Sequence, residues 1–370
     1  MSESPRNSLP ERHPVPTESV STALDAVYNW SYEPEIDQIR TLYANALDRQ
    51  WNGMRDLPWD DGIDREAFTK GFSVGGFPVT KTKFWSTLAP ETRWEIARRS
   101  AAFMLSNFLH GEQAALMVAG QLVSAVPHID GKFYAATQTL DEARHVEVFA
   151  AYLRELDEVY DISPSLRTLL DNVLVASDWK LKAVGMQVVT EGLALYSFRD
   201  MRNQTEEPLL EKLLTYVSRD EARHTAYGIK YLRQVVPTLD AAEVAEIEDF
   251  AFEASRLLID QRAGYTMRDS VLALWKDAGV DPADFITAIA SERELIAREV
   301  GASGGRFGPI SGFVCPTLRS IGLLSDRIAG HFEDMWAANI NPEAAREMRD
   351  SITDVPEDLE AWVNEGYEAL

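Results

Sequence analysis

The pentapeptide Asp-Glu-Ala-Arg-His occurs twice in this chain, at residues 141–145 and again at residues 220–224. Residues three positions apart share a face of an α-helix, so Glu142 and His145 place a carboxylate beside an imidazole. The second copy repeats the arrangement. Two such pairs predict two metal-binding positions.

A single glutamate precedes each copy inside an otherwise apolar stretch. Glu112 lies 30 residues before Glu142, and Glu191 lies 30 residues before Glu221. Turn-forming residues such as Pro, Asn and Gly fall near the midpoint of both intervals. If each half folds back there, two helical arms of equal length return both glutamates of a pair to one level. Each half then forms a helical hairpin that offers Glu plus Glu-x-x-His.

Two such hairpins packed together bring four carboxylates and two imidazoles to one depth of a bundle. The four negative charges match the charge of two divalent ions. Without metal, charged carboxylates in an apolar core would each cost several kcal/mol. The spacing therefore predicts a bundle around two metal ions, with these ligands: Glu112, Glu142, His145, Glu191, Glu221 and His224.

This constellation resembles the ferritin-like di-iron carboxylate superfamily over roughly residues 90–235. It is similar to bacterial multicomponent monooxygenase hydroxylases, arylamine N-oxygenases and ribonucleotide reductase small-subunit-like proteins. The resemblance implies an all-α, ferritin-like four-helix bundle with additional N- and C-terminal helices. It also implies dioxygen as a substrate and two iron ions, or an Fe/Mn or Mn/Mn pair. Carboxylate-rich ligation with two imidazoles favours iron or manganese over copper.

Two aspartates, Asp141 and Asp220, directly precede the glutamates of the repeated motif. A carboxylate near a metal-bound imidazole commonly accepts its second N–H and fixes the orientation of the ring. We expect each aspartate to do this for the histidine of the opposite motif. Arg144 and Arg223 would offset the added negative charge. The resemblance to multicomponent hydroxylases supports this role.

Residues of a substrate pocket should lie one helical turn from the ligands, on the side that faces the metal. Small side chains there would leave room for an organic molecule, although ordinary core packing explains each of them equally well. The predicted pocket residues are Phe108, Ala115, Ala119, Val188, Ala194, Leu195 and Phe198.

Several activities share such a metal site. Iron storage fits poorly, because the chain has many helices and loops beyond those of a compact cage subunit. In the radical-generating subunit of ribonucleotide reductase, the radical tyrosine lies four residues after the first motif histidine, where this chain has Phe149. Arylamine N-oxygenases carry an additional ligand histidine four residues before the second motif glutamate, where this chain has Val217.

The favoured interpretation is a dioxygen-activating, non-haem di-iron oxidase or oxygenase that hydroxylates or otherwise oxidises a small organic substrate. This interpretation also departs from the pattern of the hydroxylases that the chain resembles. They carry a threonine one turn after the third glutamate, and Leu195 occupies that position here. The principal alternative is arylamine-type N-oxygenation. The alternative of another class is a non-catalytic metal-binding scaffold or a radical-generating subunit, and a scaffold would consume no dioxygen when reduced and loaded with iron.

The amino-acid composition limits which binding partners and which cellular compartment are expected. The net charge of -23 argues against nucleic acid and anionic membranes as partners. With one cysteine and no N-terminal apolar run typical of a signal peptide, we expect a cytoplasmic protein. Because no flavin or nicotinamide fingerprint is present, turnover would need electrons from a ferredoxin or reductase. We also expect a homodimer.

The chain is predicted to hold a tail and one helical domain. Residues 1–20 contain four prolines and several serines, which is typical of a disordered tail. The domain spans 21–370, with its metal-binding core at 90–235 and flanking helices at 34–51 and 240–370.

Core helices are predicted at about 91–124, 130–157, 164–175, 177–202 and 207–235. Later helices are predicted at 241–278, 282–300, 316–336, 342–352 and 356–369, with a flexible glycine-rich connection at 301–308.

The stretch 52–82 is rich in Gly, Pro and Asp. It is predicted to wrap the bundle as loops and short turns. Its aromatic residues would anchor that wrap: Trp59, Phe68, Phe72 and Phe77.

Overall fold

The structure is a computed structural model that describes residues 17–72, 79–263, 265–292 and 310–339. Within these ranges the regular structure is helical and no strand occurs, which confirms the predicted all-α, ferritin-like class. In chain order the α-helices are α1 (Asp37–Asp48), α2 (Gly53–Asp56), α3 (Arg65–Lys70), α4 (Lys83–Thr87), α5 (Pro90–Ala125), α6 (Ile129–Leu156), α7 (Pro164–Val175), α8 (Trp179–Ala183), α9 (Glu191–Gln204), α10 (Pro208–Val235), α11 (Ala241–Ala263), α12 (Tyr265–Asp277), α13 (Pro282–Ser291), α14 (Cys315–Ile321) and α15 (Asp326–Asn339).

Two helical hairpins form the core of the bundle. Helix α5 has Pro90 in its first turn, where a missing backbone N–H costs nothing, and α6 returns antiparallel to it. The second hairpin pairs α8 and α9 with α10. Glu207 caps α10 by accepting hydrogen bonds from the backbone N–H groups of Leu209 and Leu210. The two turns fall close to the predicted midpoints, so ligands spaced equally from them return to one level.

The third arm is not the continuous helix that was predicted over 177–202. A π-helix at Val184–Thr190 separates α8 from α9, which begins at Glu191. The local packing is tight, because a Cβ added at Gly185 would lie 2.7 Å from the ring of Phe250. Apolar spacing cannot distinguish a widened turn from an ordinary one, and single π turns occur frequently at functional sites.

Helix α1 packs against α6 and α10 through Ile39, Leu42 and Ala46. It is shorter than the predicted helix over 34–51. The backbone N–H groups of residues 35 and 36 donate instead to the buried carboxylate of Asp130. This contact fixes the start of α1 on the surface of α6.

The stretch 52–82 was predicted to form loops and short turns, but its described residues also include the short helices α2 and α3. Phe68 and Phe72 are buried, and Trp59 is half-buried. Phe77 lies outside the described residues. The stretch packs on α5 and α6, and therefore covers one end of the metal-binding core.

The helix predicted over 316–336 is two helices in the structure. Gly322 has a left-handed φ of 90° and ends α14, and α15 begins at Asp326. A left-handed glycine is a common helix terminator because it lacks the Cβ that disfavours this conformation. The predictions for 1–16, 293–308, 342–352 and 356–369 lie outside the described residues.

Apolar side chains fill the spaces between the arms as two clusters. One cluster lies around α7, α8 and α11, and the other around α3, the N-terminal half of α5 and the C-terminal half of α6. Among the described helices, none combines the length and apolar character needed to cross a bilayer.

Candidate metal centre and adjoining cavity

Six side chains from the two hairpins meet at one depth of the bundle. They are Glu112 from α5, Glu142 and His145 from α6, Glu191 from α9, and Glu221 and His224 from α10. All six are buried, and none is more than 5% exposed. Because buried charges are costly unless they are paired or coordinate a metal, this clustering needs a compensating charge.

The ligand atoms form two groups, in each of which all atoms lie within 4.8 Å of one another. One group is Glu112, Glu142, His145 and Glu221, and the other is Glu142, Glu191 and His224. The carboxylate of Glu142 reaches both histidines, at 3.3 Å from Nδ1 of His145 and 3.1 Å from Nδ1 of His224. Oε1 of Glu221 lies 3.1 Å and 3.6 Å from the same two nitrogens. Two carboxylates therefore lie between the two imidazoles.

The donor set fits metal ions. Buried carboxylate oxygens of Glu142, Glu191 and Glu221, and Nδ1 of His224, have no hydrogen bond of good geometry to the described residues. A buried polar atom without a partner costs about 1–3 kcal/mol, and more when it is charged. Divalent cations would satisfy all of these atoms together, and carboxylate and imidazole donors suit iron or manganese.

The pKa values show how strongly the site attracts positive charge. Burial, followed by the charge of Glu221, raises the pKa of both Glu112 and Glu191. Burial alone would lower the pKa of His145 and His224, but the surrounding carboxylates outweigh it and raise both values. Protons therefore stay on the cluster when no cation is bound, and metal binding would release them.

Each histidine turns its second ring nitrogen toward an aspartate from the other hairpin. Nε2 of His145 lies 3.2 Å from Oδ2 of Asp220, and Nε2 of His224 lies 3.3 Å from Oδ2 of Asp141. This leaves Nδ1 of each ring directed at the glutamates. An acceptor on Nε2 fixes the tautomer in which Nδ1 carries the lone pair that a metal requires.

Two buried arginines neutralise the aspartates. Arg144 donates to Asp141 and, at 2.8 Å, to Asp220. Arg223 donates to Asp220 and lies 3.6 Å from Asp141. The charges of His145, Arg223 and Arg144 outweigh burial, so the pKa of Asp220 lies well below its usual range.

Gln50 and Trp51 also bind these aspartates, and no pattern in the sequence indicated these contacts. The indole N–H of Trp51 donates to Asp220 at 2.7 Å, and the amide of Gln50 donates to Asp141 at 2.9 Å. Arg144 also lies over the Trp51 ring, with its guanidinium carbon 4.8 Å from the ring centroid. No local spacing connects residues so distant in the chain.

Gln138 is a further contact that spacing could have suggested, because it lies one turn before Glu142. Its amide donates to Glu191 at 2.8 Å and to Glu142 at 3.2 Å. It thus fixes two of the glutamates from different hairpins relative to each other.

A cavity of about 190 Å³ opens beside the cluster and reaches Glu112, Glu191 and Glu221. Its surface is mainly apolar. The lining includes Phe68, Phe72, Met104, Phe108, Ala115, Met186, Thr190, Leu193, Ala194 and Met201. A small, largely apolar molecule in this space would contact the side of the cluster that the glutamates face.

Phe108, Ala115 and Ala194, from the predicted pocket, line this cavity. The other four predicted residues do not, and all four are buried in the protein core: Ala119, Val188, Leu195 and Phe198. Phe198 lies behind Phe108, with their ring centroids 4.7 Å apart. The π-helix changes which residues of the third arm face inward, so Met186 and Thr190 line the cavity instead of Val188.

The bundle and its buried carboxylate–histidine cluster define a ferritin-like, di-iron carboxylate protein with a site for two metal ions. A family model described as p-aminobenzoate N-oxygenase AurF matches residues 34–286, which is more than half of the chain. The chain belongs to this family.

Solved structures of R2-like ligand-binding oxidases are also similar. One is a single-substitution variant with an aerobically reconstituted Mn/Fe cofactor, at 17% identity and a TM-score of 0.44, covering 70% of this chain and 92% of that one. Another, from Sulfolobus acidocaldarius, has 17% identity and a TM-score of 0.41, covering 70% and 95%. No curated protein matches the sequence.

Removing the metal is expected to destabilise the protein, because the glutamates would again be buried without a cation. Metal at about 1,000 times its dissociation constant stabilises a folded protein by about 4 kcal/mol. Scanning calorimetry should therefore show a midpoint lower by roughly 5 °C or more after chelation. Iron(II) should restore the midpoint and calcium, which prefers more oxygen ligands, should not. Equal midpoints with and without metal would contradict a buried metal centre.

Proposed function

We propose that this chain is a dioxygen-dependent oxygenase whose six clustered side chains hold two iron ions. Glu142 and Glu221 would contact both ions, because each lies within reach of both histidine Nδ1 atoms. Glu112 and Glu191 would each contact one ion. Asp141 and Asp220, with Arg144 and Arg223, would hold the histidine rings and balance the charge.

The observation that carries this proposal is the direct contact between cluster and cavity. Glu112, Glu191 and Glu221 belong to the six-residue cluster and also line the cavity. When bound, two ferrous ions supply the redox chemistry that activates dioxygen. The chain's residues bind the organic molecule beside these glutamates, and apolar walls exclude water from that place.

Membership of an N-oxygenase family favours oxidation at nitrogen, so the proposed substrate is a small aromatic amine. Phe68, Phe72 and Phe108 would contact its ring. One oxygen atom of dioxygen would form a bond to the amine nitrogen, and the other would leave as water. The balance needs two electrons and two protons for each oxygen atom inserted, and a ferredoxin or reductase would supply the electrons.

Hydroxylation of a carbon atom is the second candidate. Val217 is fully buried at the position where arylamine N-oxygenases carry an additional ligand histidine. A six-residue ligand set without that histidine is the pattern that favours a hydroxylase. The two candidates share the metal ligands and the cavity, and they differ in the atom that is oxidised.

The test begins with anaerobic iron(II) loading, metal analysis and measurement of dioxygen uptake by the reduced protein. Aromatic amines, including p-aminobenzoate, and matched hydrocarbons are then supplied with ¹⁸O-labelled dioxygen, and products are identified by mass spectrometry. Label on nitrogen supports N-oxygenation, and label on carbon supports hydroxylation. An iron-loaded, reduced protein that consumes no dioxygen would leave only the non-catalytic scaffold.

A larger side chain at Ala194 should obstruct the cavity without changing the metal ligands. We expect Ala194→Phe to retain two metal ions per chain and to lose most product formation, because the added ring occupies the space next to Glu191. Ala194→Gly is the matched control: it leaves the cavity open at a helix cost of roughly 1 kcal/mol. If Ala194→Phe forms product at the unmodified rate, the cavity is not where the substrate binds.

A further inference from the structure

Four oxidisable aromatic rings lie in a continuous row between the protein surface and the metal cluster. Trp179, on α8, is half-buried, and its ring stacks on Tyr231 with centroids 4.8 Å apart. Tyr231 lies 5.6 Å from Tyr227, and Tyr227 stacks on Tyr134 at 4.5 Å. The three tyrosines are fully buried.

The inner end of the row lies at the metal cluster. Tyr227 follows the cluster residue His224 by three positions on α10, and so lies one turn away on the same face. Tyr134 lies one turn before Gln138, whose amide donates to Glu142 and Glu191. Burial raises the pKa of Tyr134, while the charges of His224 and Arg223 partly oppose this effect.

The three phenol groups differ in whether a base is close enough to take their proton. The Tyr134 hydroxyl makes no hydrogen bond to any described residue, and Tyr227 donates to the carbonyl oxygen of Gly131 at 3.1 Å. The Tyr231 hydroxyl lies 2.9 Å from Nδ1 of His128. Because oxidised tyrosine must lose its proton, Tyr231 is the member of the row that can hold an oxidising equivalent as a neutral radical.

The local packing keeps Tyr231 in this place. A Cβ added at Gly131 would lie 2.8 Å from the Tyr231 ring, so the glycine is what lets the ring approach α6. The row therefore depends on a specific close approach of α10 to the first turn of α6.

We propose that this row conducts oxidising equivalents from the metal centre to the surface when no substrate occupies the cavity. The inference rests on the proposed dioxygen-reducing function. For each oxidising equivalent that leaves the metal centre, Tyr231 loses one electron. This electron passes through Tyr227 and then Tyr134 to the oxidised metal centre. Tyr231 transfers its proton to His128.

Trp179 then returns an electron to the Tyr231 radical, which recovers its proton from His128. A small-molecule reductant in solution, such as a thiol or ascorbate, donates one electron to the oxidised Trp179. The net result is reduction of the metal centre by one electron for each electron that the external reductant loses. The core around the metal is thereby spared from oxidation.

The internal repeat supplies a matched control. Tyr152 follows His145 by seven residues, just as Tyr231 follows His224. Tyr152 is fully buried, but its hydroxyl donates to Glu207 at 3.1 Å, and Val148 stands where the second half has Tyr227. A tyrosine at the equivalent position therefore lacks the aromatic link toward the metal.

The experiment exposes the reduced, iron-loaded full chain to limiting dioxygen without substrate or external reductant. Freeze-quenched EPR detects tyrosyl radical, and ring-deuterated tyrosine identifies its signal. Peptide mass spectrometry measures oxidation at Trp179. We expect a tyrosyl signal and oxidised Trp179 in the unmodified protein. Tyr231→Phe should lose both, while Tyr152→Phe should keep both. Trp179→Phe, changed at a half-buried position, should retain the tyrosyl signal and prolong it.

Metal content and dioxygen uptake are measured on each variant, so that a folding defect is recognised. If dioxygen is consumed normally but Tyr231→Phe and Trp179→Phe leave the EPR signal and its lifetime unchanged, the conduction row is wrong and the proposed function stands. Equal loss in Tyr152→Phe would also overturn the row. Absence of dioxygen uptake by the unmodified protein would overturn the proposed function and the row with it.

Discussion

We expect Glu142→Ala to bind neither metal ion, whereas Glu112→Ala loses only one. Glu142 is common to both ligand groups, while Glu112 belongs to one. Removing the shared carboxylate takes a ligand from each ion and leaves the four positive charges of two divalent ions facing only three carboxylates. The loss of affinity should exceed the roughly 100-fold effect of removing a partner outside the ligand set.

Metal analysis after equilibrium dialysis against iron(II) measures this difference directly. Circular dichroism should show retained helicity, and Glu142→Gln provides a variant of equal size that also lacks the charge. Two bound ions in Glu142→Ala would mean that the carboxylate is not shared. If Glu142→Ala binds one ion and Glu112→Ala binds none, Glu112 and not Glu142 would be the carboxylate common to both ligand groups.

Asp220→Ala is expected to weaken metal binding and to destabilise the fold at the same time. The carboxylate accepts from Trp51, contacts His145, and pairs with Arg144 and Arg223. Loss of a carboxylate that orients a ligating histidine typically costs about 10–100-fold in metal affinity. Leaving a buried charge without its partner costs about 3–5 kcal/mol.

Denaturant titration of the metal-free protein isolates the stability effect, and iron(II) titration measures the affinity effect. Asp141→Ala is the matched variant from the other hairpin, and should weaken binding through His224. It should destabilise less than Asp220→Ala, because Asp220 accepts hydrogen bonds from both Arg144 and Arg223, whereas Asp141 accepts from Arg144 and lies 3.6 Å from Arg223. Exposed Asp60 offers a control, and Asp60→Ala should change neither quantity. Unchanged affinity in Asp220→Ala would show that the aspartate does not orient His145.

The fold and the meeting of the six side chains could be predicted because both depend on periodicity. Glu112 and Glu142 are equidistant from a turn, and helical rise then brings them to one level whatever the rest of the chain does. The pairing of Asp220 with His145 across hairpins follows from the same symmetry. These features need only the spacing of residues along helices.

Features that depend on tertiary contact could not be predicted in this way. Trp51 reaches Asp220 from 169 residues away, a contact that no local spacing records. A π-helix precedes Glu191, and Gly185 within it packs closely against Phe250, and apolar spacing records neither feature. The consequence was a wrong assignment of Val188 to the pocket, and the omission of Phe68 and Phe72 from it.

The most direct test of the metal centre is anomalous diffraction at the iron absorption edge, from crystals of the anaerobically iron-loaded protein. We predict two iron ions per chain, with Glu142 and Glu221 contacting both and with Nδ1 of His145 and His224 each contacting one. A single ion, or ions bound by Asp141 and Asp220 instead of the glutamates, would contradict the proposed centre.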